Sequence, residues 1–339
     1  MATVGQTLLV PETGWKKYDD RDSLLTYTNA SAVTASADNT IMQGNGLTLK
    51  FLIYGTKFRI IAHSYTHGTV VIDGISYPMT AQAGYDFDTL MFEKLDLSLG
   101  SHKIEFTSVS TAWITAIHVG IDDYIMKYRA VGTQLLTPDS GWLRTDDLDS
   151  RISYKGTWTR SSDIHYNGSI NKSNVYGDTI KIKFYGTMFR IIQSKTANDD
   201  SNIIITIDGV QYNYGAYNST SLYQIMTFEK IGLPLQLHEI VITKGTNSST
   251  YFGLDAIDID SNGYLVDIVI LKYLIQDGTE LKTISGSNLV TVCNTTDDNS
   301  TIESAFLTNG LDNLSVWNNS LASQINNNTF KVAIYRKEG

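Results

Sequence analysis

The stretch LTLKFLIYGTKFRII, residues 47 to 61, occurs a second time as DTIKIKFYGTMFRII, residues 178 to 192, with the Tyr-Gly-Thr turn and the Phe-Arg-Ile-Ile run aligned residue for residue. In the first copy Leu47, Leu49, Phe51 and Ile53 alternate with Thr48, Lys50, Leu52 and Tyr54. In the second, Ile180, Ile182 and Phe184 alternate with Lys181, Lys183 and Tyr185. A period of two is that of a strand with one face buried and the other wetter. Gly55 and Gly186 suit a tight reversal, after which the chain is expected to come straight back as a second strand. Phe51, Phe58, Ile182 and Phe189 are thereby assigned to a core.

Outward from this stretch the repetition continues, which makes it a duplication of whole domains. LLVPETGW (8 to 15) returns as LLTPDSGW (135 to 142), each followed at equal spacing by an Asp pair, Asp19-Asp20 and Asp146-Asp147. After the Phe-Arg-Ile-Ile strand come a loop and a strand ending in Ile-Asp-Gly, at 72 to 74 and 207 to 209. Asp-Gly between alternating strands is a strong hairpin signal, because both central residues of a type I′ turn take positive φ. Each copy goes on through Phe-Glu-Lys and a His, His102 or His238, to a last strand, ITAIHVGID or GLDAIDID. That gives about eight strands per copy with no convincing helix, the pattern of an antiparallel sandwich with Greek-key crossings. The expected division is repeat 1 at 1–124, a linker at 125–134, repeat 2 at 135–262 and a small α+β module at 263–339. In the last, a hairpin is expected around Asp277-Gly278, a closing strand at 328–337, and a short helix from a capping box of Ser300 and Glu303 to a stop at Gly310.

The 339 residues are 42% hydrophobic and 18% charged, as in globular proteins, and the formal net charge of −9 comes without the Lys/Arg clusters that a nucleic acid requires. The lone Cys293 has no internal partner, so packing must supply the stability. No basic-then-apolar leader and no run of 18 apolar residues is present; neither export by a signal peptide nor membrane insertion is expected. There is no G-x-S-x-G, no H-E-x-x-H, no phosphate-binding Gly-rich loop and no Cys cluster, so no catalytic residue is assigned.

The succession Gly-Trp…Asp, Phe-x-Gly-Thr-x-Phe-Arg-Ile-Ile, Ile-Asp-Gly, Leu-x-x-Gly-x-His-x-Ile and a final strand such as LDAIDID resembles the galactose-binding-like jelly-roll modules of carbohydrate-active enzymes, lectins and phage tail proteins. The resemblance spans both repeats and implies an all-β fold of two tandem jelly-roll sandwiches. Copy 1 departs from it at LTYTNAS (25 to 31), where copy 2 has ISYKGTW, and copy 2 departs at Gln236, where copy 1 has Gly100. The stretch KYLIQDGTELKTI…SAFLTNGLDNLS is similar to terminal modules of tail-fibre and baseplate proteins from phages of Gram-positive bacteria. From these two resemblances follow the expectations of a non-catalytic receptor-binding protein of a virion that grips host surface glycan. It would be made in the host cytoplasm, joined to other tail or baseplate proteins, and homo-oligomeric, most simply trimeric. The alternative is a structural or assembly subunit that binds no glycan; a third reading is an accessory part of a glycoside hydrolase.

A sugar site needs a ring to lie against the apolar face of the pyranose and a few fixed polar groups for its hydroxyls. The resemblance puts these on loops at one end of each sandwich. Copy 1 offers His63, Tyr65, His67, Tyr85 and Trp113; copy 2 offers Lys195, Asn198, Asp199, Tyr217 and Tyr251, with Tyr251 expected to match Trp113. No cofactor is expected except that the resemblance implies a structural Ca²⁺, for which Asp19, Asp20, Asp22, Asp146, Asp147 and Asp149 are the candidate ligands; the other reading of these carboxylates is a solvated turn in which Asp binds its own backbone. His102 and His238 lack a second ligand at metal spacing and are read as structural.

Overall fold

The computed structural model describes residues 2–34, 40–162 and 164–266 in full, and strand backbone alone at 35, 36, 39, 272–277, 280–285, 288–294 and 330–335. The chain divides into two compact units, Met1–Val266 and Asp267–Gly339. The first repeat contributes β1 (Trp15–Asp19), β2 (Thr26–Thr28), β3 (Ser31–Ser36), β4 (Asn39–Asn45), β5 (Thr48–Gly55) and β6 (Phe58–Ala62). It continues with β7 (Gly68–Ile72), β8 (Ile75–Met79), β9 (Thr89–Lys94), β10 (Gly100–Ser108), β11 (Thr111–Gly120) and β12 (Tyr124–Met126). One sheet has the order β3-β4-β11-β6-β9, with β1 also on β11; the other has the order β12-β5-β10-β7-β8, with β2 also on β5. Within these, β4-β11-β6-β9 and β5-β10-β7-β8 form the eight-stranded jelly roll, whose chain passes back and forth between two sheets.

The second repeat follows the same path through β13 (Trp142–Asp146), β14 (Ile152–Lys155), β15 (Thr159–Ser162), β16 (Ser169–Ser173), β17 (Thr179–Gly186) and β18 (Phe189–Lys195). Then come β19 (Ile203–Ile207), β20 (Val210–Tyr214), β21 (Leu222–Lys230), β22 (Gln236–Lys244), β23 (Phe252–Leu254), β24 (Ala256–Asp260) and β25 (Tyr264–Val266). The strands β16-β23 and β24-β18-β21 stand where β4-β11-β6-β9 stand in the first repeat, β11 being split into two at Asp255, and β17-β22-β19-β20 repeat β5-β10-β7-β8. The one helical turn described is a 3-10 turn at Tyr166–Gly168.

The inward alternate residues of both sheets close one core per repeat. Leu49, Phe51, Ile53, Phe58, Ile60, Ile104 and Phe106 fill the first, and Ile180, Ile182, Phe184, Phe189, Ile191, Ile240 and Ile242 the second, all fully buried. The Asp-Gly hairpins are as expected: Asp73 and Gly74 have φ of 50° and 88°, Asp208 and Gly209 of 51° and 81°.

Three expectations are corrected. The chain does not return on itself after Tyr-Gly-Thr, because β5 and β6 lie in different sheets and never pair. The turn is a corner that carries the chain across the core, so that Phe51 and Phe58 meet edge to face at 5.9 Å. Gly55 and Gly186 are needed there for room: a Cβ would stand 2.2 Å from the Asp123 carboxyl carbon in one copy and 2.3 Å from Asp260 Oδ2 in the other. Those carboxylates cap the turns, Asp123 accepting from the Thr56 and Lys57 N–H groups and Asp260 from Thr187 N–H.

Secondly, β12 runs from the end of the expected repeat 1 into the expected linker and pairs with β5, and β25, past residue 262, pairs with β17 of repeat 2. Thirdly, Leu52 and Tyr54, expected on the wetter face, are buried with Met126, Trp142 and Met188 where the two repeats meet. Ser101 N–H donates to Thr187 Oγ1 at 3.1 Å, and Ser101 Oγ to Thr187 O at 3.0 Å across the same junction.

In the second unit β26 (Lys272–Asp277), β27 (Glu280–Ser285), β28 (Asn288–Asn294) and β29 (Phe330–Tyr335) form one antiparallel sheet in the order β28-β27-β26-β29. The expected hairpin is β26-β27, with Asp277 opposite Glu280, and the closing strand is β29 on β26. The helix expected between Ser300 and Gly310 lies outside the described residues.

Candidate functional site

Most of the repeated motifs turn out to be one structural device. The Arg of Phe-Arg-Ile-Ile is fully buried in both copies. Arg59 Nε donates to Glu93 of Phe-Glu-Lys at 2.5 Å and Nη1 to Glu12 of Pro-Glu-Thr-Gly-Trp at 2.7 Å, with the guanidinium 3.9 Å from the centre of the Trp15 ring. Arg190 does the same with Glu229 at 2.7 Å, Asp139 at 3.5 Å and Trp142 at 3.6 Å. A guanidinium paired in its own plane and stacked on an indole face is a cation that the interior tolerates. His102 and His238 are likewise structural: Nδ1 faces Asp73 or Asp208 at 2.6 Å and Nε2 faces the carbonyl of Ser98 or Pro234 at 2.8 Å.

What the repeats do not share is the loop end of repeat 1. There His63, Tyr65, Tyr85 and Trp113 come together as expected, and Phe87 joins them. The His63 ring lies 4.5 Å from Tyr85, 4.6 Å from Phe87, 5.1 Å from Trp113 and 5.2 Å from Tyr65, centre to centre. His63 is 1% exposed, while Tyr65 and Tyr85 stand above it at 47% and 70%, with their rings 5.6 Å apart and nearly perpendicular. Trp113 and Phe87 are half-buried between them. His67 is half-exposed on the rim, its Nδ1 2.9 Å from Tyr65 O.

The two loops beneath these rings are tied to each other and to the sheet. His63 N–H donates to Trp113 O, Ser64 N–H to Asp86 O, Gln82 N–H to Ser64 O, and Ser64 Oγ to Gly84 O, all within 3.0 Å. Thr66 Oγ1 accepts from Trp113 N–H at 3.1 Å. The exposed rings therefore sit on a fixed support and lose little freedom on contact with a ligand. Phe87 was missed because its loop, 80 to 88, has no fixed spacing to the other rings; only the fold brings it under Tyr85.

Repeat 2 builds no such nest. The strand registers place Gly253 opposite Lys172 where Trp113 stands opposite Gln43, so Trp113 corresponds to Gly253 and Tyr251 to Thr111. A Cβ on Gly253 would lie 2.6 Å from Asn171 O, which leaves no space for a ring. Ser194 takes the place of His63. Asp199 is 3% exposed and engaged by Lys172 Nζ at 3.3 Å and Ser194 Oγ at 3.4 Å, so its carboxylate is turned inward and is not presented to a ligand. Lys195 ends β18 half-exposed, Asn198 is exposed, Tyr217 is 53% exposed beside Thr196, and Tyr251 is half-buried with its N–H on Asn198 O.

The Asp runs adopt the solvated-turn geometry. Asp19 Oδ1 accepts from Arg21 N–H, Asp22 from Leu24, Asp146 from Leu148 and Asp149 from Arg151, each two residues on. Asp20 and Asp147 point inward and are buried. Both Asp20 oxygens lack a hydrogen-bond partner; Asp147 Oδ2 accepts from Asn171 N–H, and its Oδ1 lacks one. Burial, and then the neighbouring Asp19 or Asp146, pushes each carboxyl up to about 7. Among the described residues no group of three or more His, Cys, Asp or Glu side chains is placed to hold a metal ion.

No family model matches the chain. The A type blood alpha-D-galactosamine galactosaminidase of Flavonifractor plautii is 25% identical over 242 residues, 68% of this chain and 21% of that protein. The chain thus spans about a fifth of the length of this curated relative. Among solved structures, a family 35 carbohydrate-binding module from Clostridium thermocellum is similar at a TM-score of 0.30 and 17% identity, over 35% of this chain and 98% of that one. The N-terminal CBM22-1-CBM22-2 tandem domain from Paenibacillus barcinonensis Xyn10C is similar at a TM-score of 0.23 and 11% identity, over 77% of this chain and 99% of that one.

Proposed function

We propose that the two repeats are paired modules of a non-catalytic carbohydrate-binding protein, and that the ligand is held at the loop end of repeat 1 by Tyr65, Tyr85 and Trp113. The observation that carries this reading is a pair of exposed tyrosines on a cross-braced aromatic support. A surface protein gains nothing in stability from rings left in water, whereas a pyranose face covers them favourably. The partial relative is a galactosaminidase, so hexosamine- and galactose-bearing glycans are the first to try. Repeat 2, with Gly253 for Trp113 and Asp199 turned inward, serves as the rigid partner of repeat 1, and one site per chain is the expected stoichiometry.

The wider setting we propose rests on the C-terminal stretch: a receptor-binding component of a phage tail, acting on host surface glycan as a trimer beside other tail or baseplate proteins. The match to part of a glycosidase favours a second setting, in which the same modules hold an enzyme to its substrate. Light scattering distinguishes a trimer from a monomer, and whole-cell binding tests the surface receptor.

A glycan array followed by titration of the best binder tests the site. Tyr85→Ala should weaken binding at least about tenfold while moving stability by no more than about 0.5 kcal/mol, because the ring is mostly in water. Trp113→Ala is the less clean probe: the ring is half-buried against His63, so its loss also affects stability. An array with no binder at all would favour the structural-subunit alternative.

A further inference from the structure

We propose that His63 is the positioning residue of the repeat 1 site and makes it pH-sensitive, its neutral imidazole holding the ring-bearing loops in place and its protonation releasing them. The proposal rests on the reading of that site as a sugar site. Its ground is the hydrogen bond from Tyr65 N–H to His63 Nδ1, 3.1 Å long. An N–H donor facing Nδ1 requires a lone pair there, so the neutral ring carries its hydrogen on Nε2. That Nε2 is buried and has no hydrogen-bond partner. Tyr85 and Phe87 stand nearly perpendicular to the ring, at 76° and 80°.

One side chain therefore links the end of β6, the loop bearing Tyr65, the loop bearing Tyr85 and Phe87, and Trp113 on β11. Adding a proton places Nδ1–H against Tyr65 N–H, two donors with no acceptor between them, and puts a charge on a buried ring. The first contact cannot persist, so Tyr65 must move.

The charged and titratable groups on the packed elements are His67 and Tyr65 on its own loop and Tyr85, Asp86 and Asp88 on the other. Burial holds the imidazole below its ordinary pKa, and Asp86 opposes this without overcoming it. The neutral form is thus the state at neutral pH and the release belongs to acid. Repeat 2, with Ser194 at this position, has no counterpart.

The test uses the full chain in two readouts. Without ligand, the backbone amide of Tyr65 and the indole of Trp113 are followed by NMR from about pH 7.5 to about pH 4. Both should shift together with a midpoint below the ordinary histidine value, and the neutral His63 ring should show hydrogen on Nε2. In His63→Asn, whose Oδ1 stands near the Nδ1 position and does not titrate, the shift should vanish. Retention on galactosamine–agarose should then fall about tenfold per pH unit below that midpoint in the native protein and stay flat in His63→Asn. A Tyr65 amide indifferent to pH over this range, or a neutral ring protonated on Nδ1, overturns the proposal. Absence of retention at any pH counts against the sugar reading instead, and leaves the NMR result to judge His63.

Discussion

At the scale of single residues, the chain buries charge in two ways. Arg59 and Arg190 are each paired with two carboxylates through Nε and Nη1 and stacked on an indole, and removing either would leave carboxylates without their cation, a loss of about 3–5 kcal/mol for a buried pair. Asp20 is the opposite case, a buried carboxyl with neither oxygen satisfied. Its folded pKa of about 7 lies above the ordinary 3.8, so the folded state binds the proton more tightly than the unfolded chain does. Its ionisation therefore destabilises the fold progressively as pH rises from about 4 to about 7, and remains a constant cost above that. Asp20→Asn should raise stability by roughly 2–4 kcal/mol at pH 8 and have little effect at pH 4, measured by urea unfolding at both pH values. Equal effects at the two pH values would mean that the carboxyl ionises normally.

At the scale of elements, the β7–β8 hairpin is held by more than its Asp-Gly turn. Asp73 accepts from Lys103 N–H at 2.8 Å through one oxygen and meets His102 Nδ1 with the other, so the turn is fastened to β10. With Ser98 O on Nε2, both ring nitrogens face acceptors, which calls for the doubly protonated imidazolium. Burial opposes that charge, but Asp73 and the Ser98 carbonyl outweigh it, and the His102 pKa is raised. A raised histidine pKa gives stability that is complete below the ordinary value and lost as pH rises through the folded one. The difference in melting temperature between the native protein and His102→Gln should therefore be larger at about pH 5.5 than at about pH 8.5. The hairpin and its turn residues were legible in the sequence, because turn chemistry is local. The histidine was legible as structural, but its partner was not, since Asp73 and His102 meet only when β7 and β10 are neighbours.

At the scale of the molecule, the junction between repeats is the feature that duplication alone does not supply. Gly14 and Gly141 are equivalent and share a left-handed backbone, with φ of 84° and 88°. A Cβ on Gly14 would meet nothing within 4 Å, whereas one on Gly141 would lie 2.5 Å from Met126 Sδ in the other repeat. Gly14→Ala should cost about 1 kcal/mol from backbone strain alone. Gly141→Ala adds a clash across the junction and should cost more, with a broader or split thermal transition by calorimetry. Similar losses for both would show that the repeats do not depend on this contact.

By itself the sequence determined the strand pattern, the duplication, the Asp-Gly hairpins and the membership of both cores, because each is written in local periodicity or in direct comparison of the two copies. It also picked out most of the rings at the loop end of repeat 1. Tertiary structure alone decided that Tyr-Gly-Thr is a corner between sheets, since an alternating strand looks the same whichever sheet it joins. The same holds for the junction. Leu52, where the second copy has Lys183, was a visible departure whose meaning depended on what covers it. The two loop ends diverge for a related reason: a ring at Trp113 and a glycine at Gly253 occupy one register position, and that position is defined by pairing with β4 and β16, strands distant in sequence. Loop lengths differ between the copies, so only the pairing of distant strands could show that Tyr251 is no substitute for Trp113 and that Phe87 belongs beneath Tyr85.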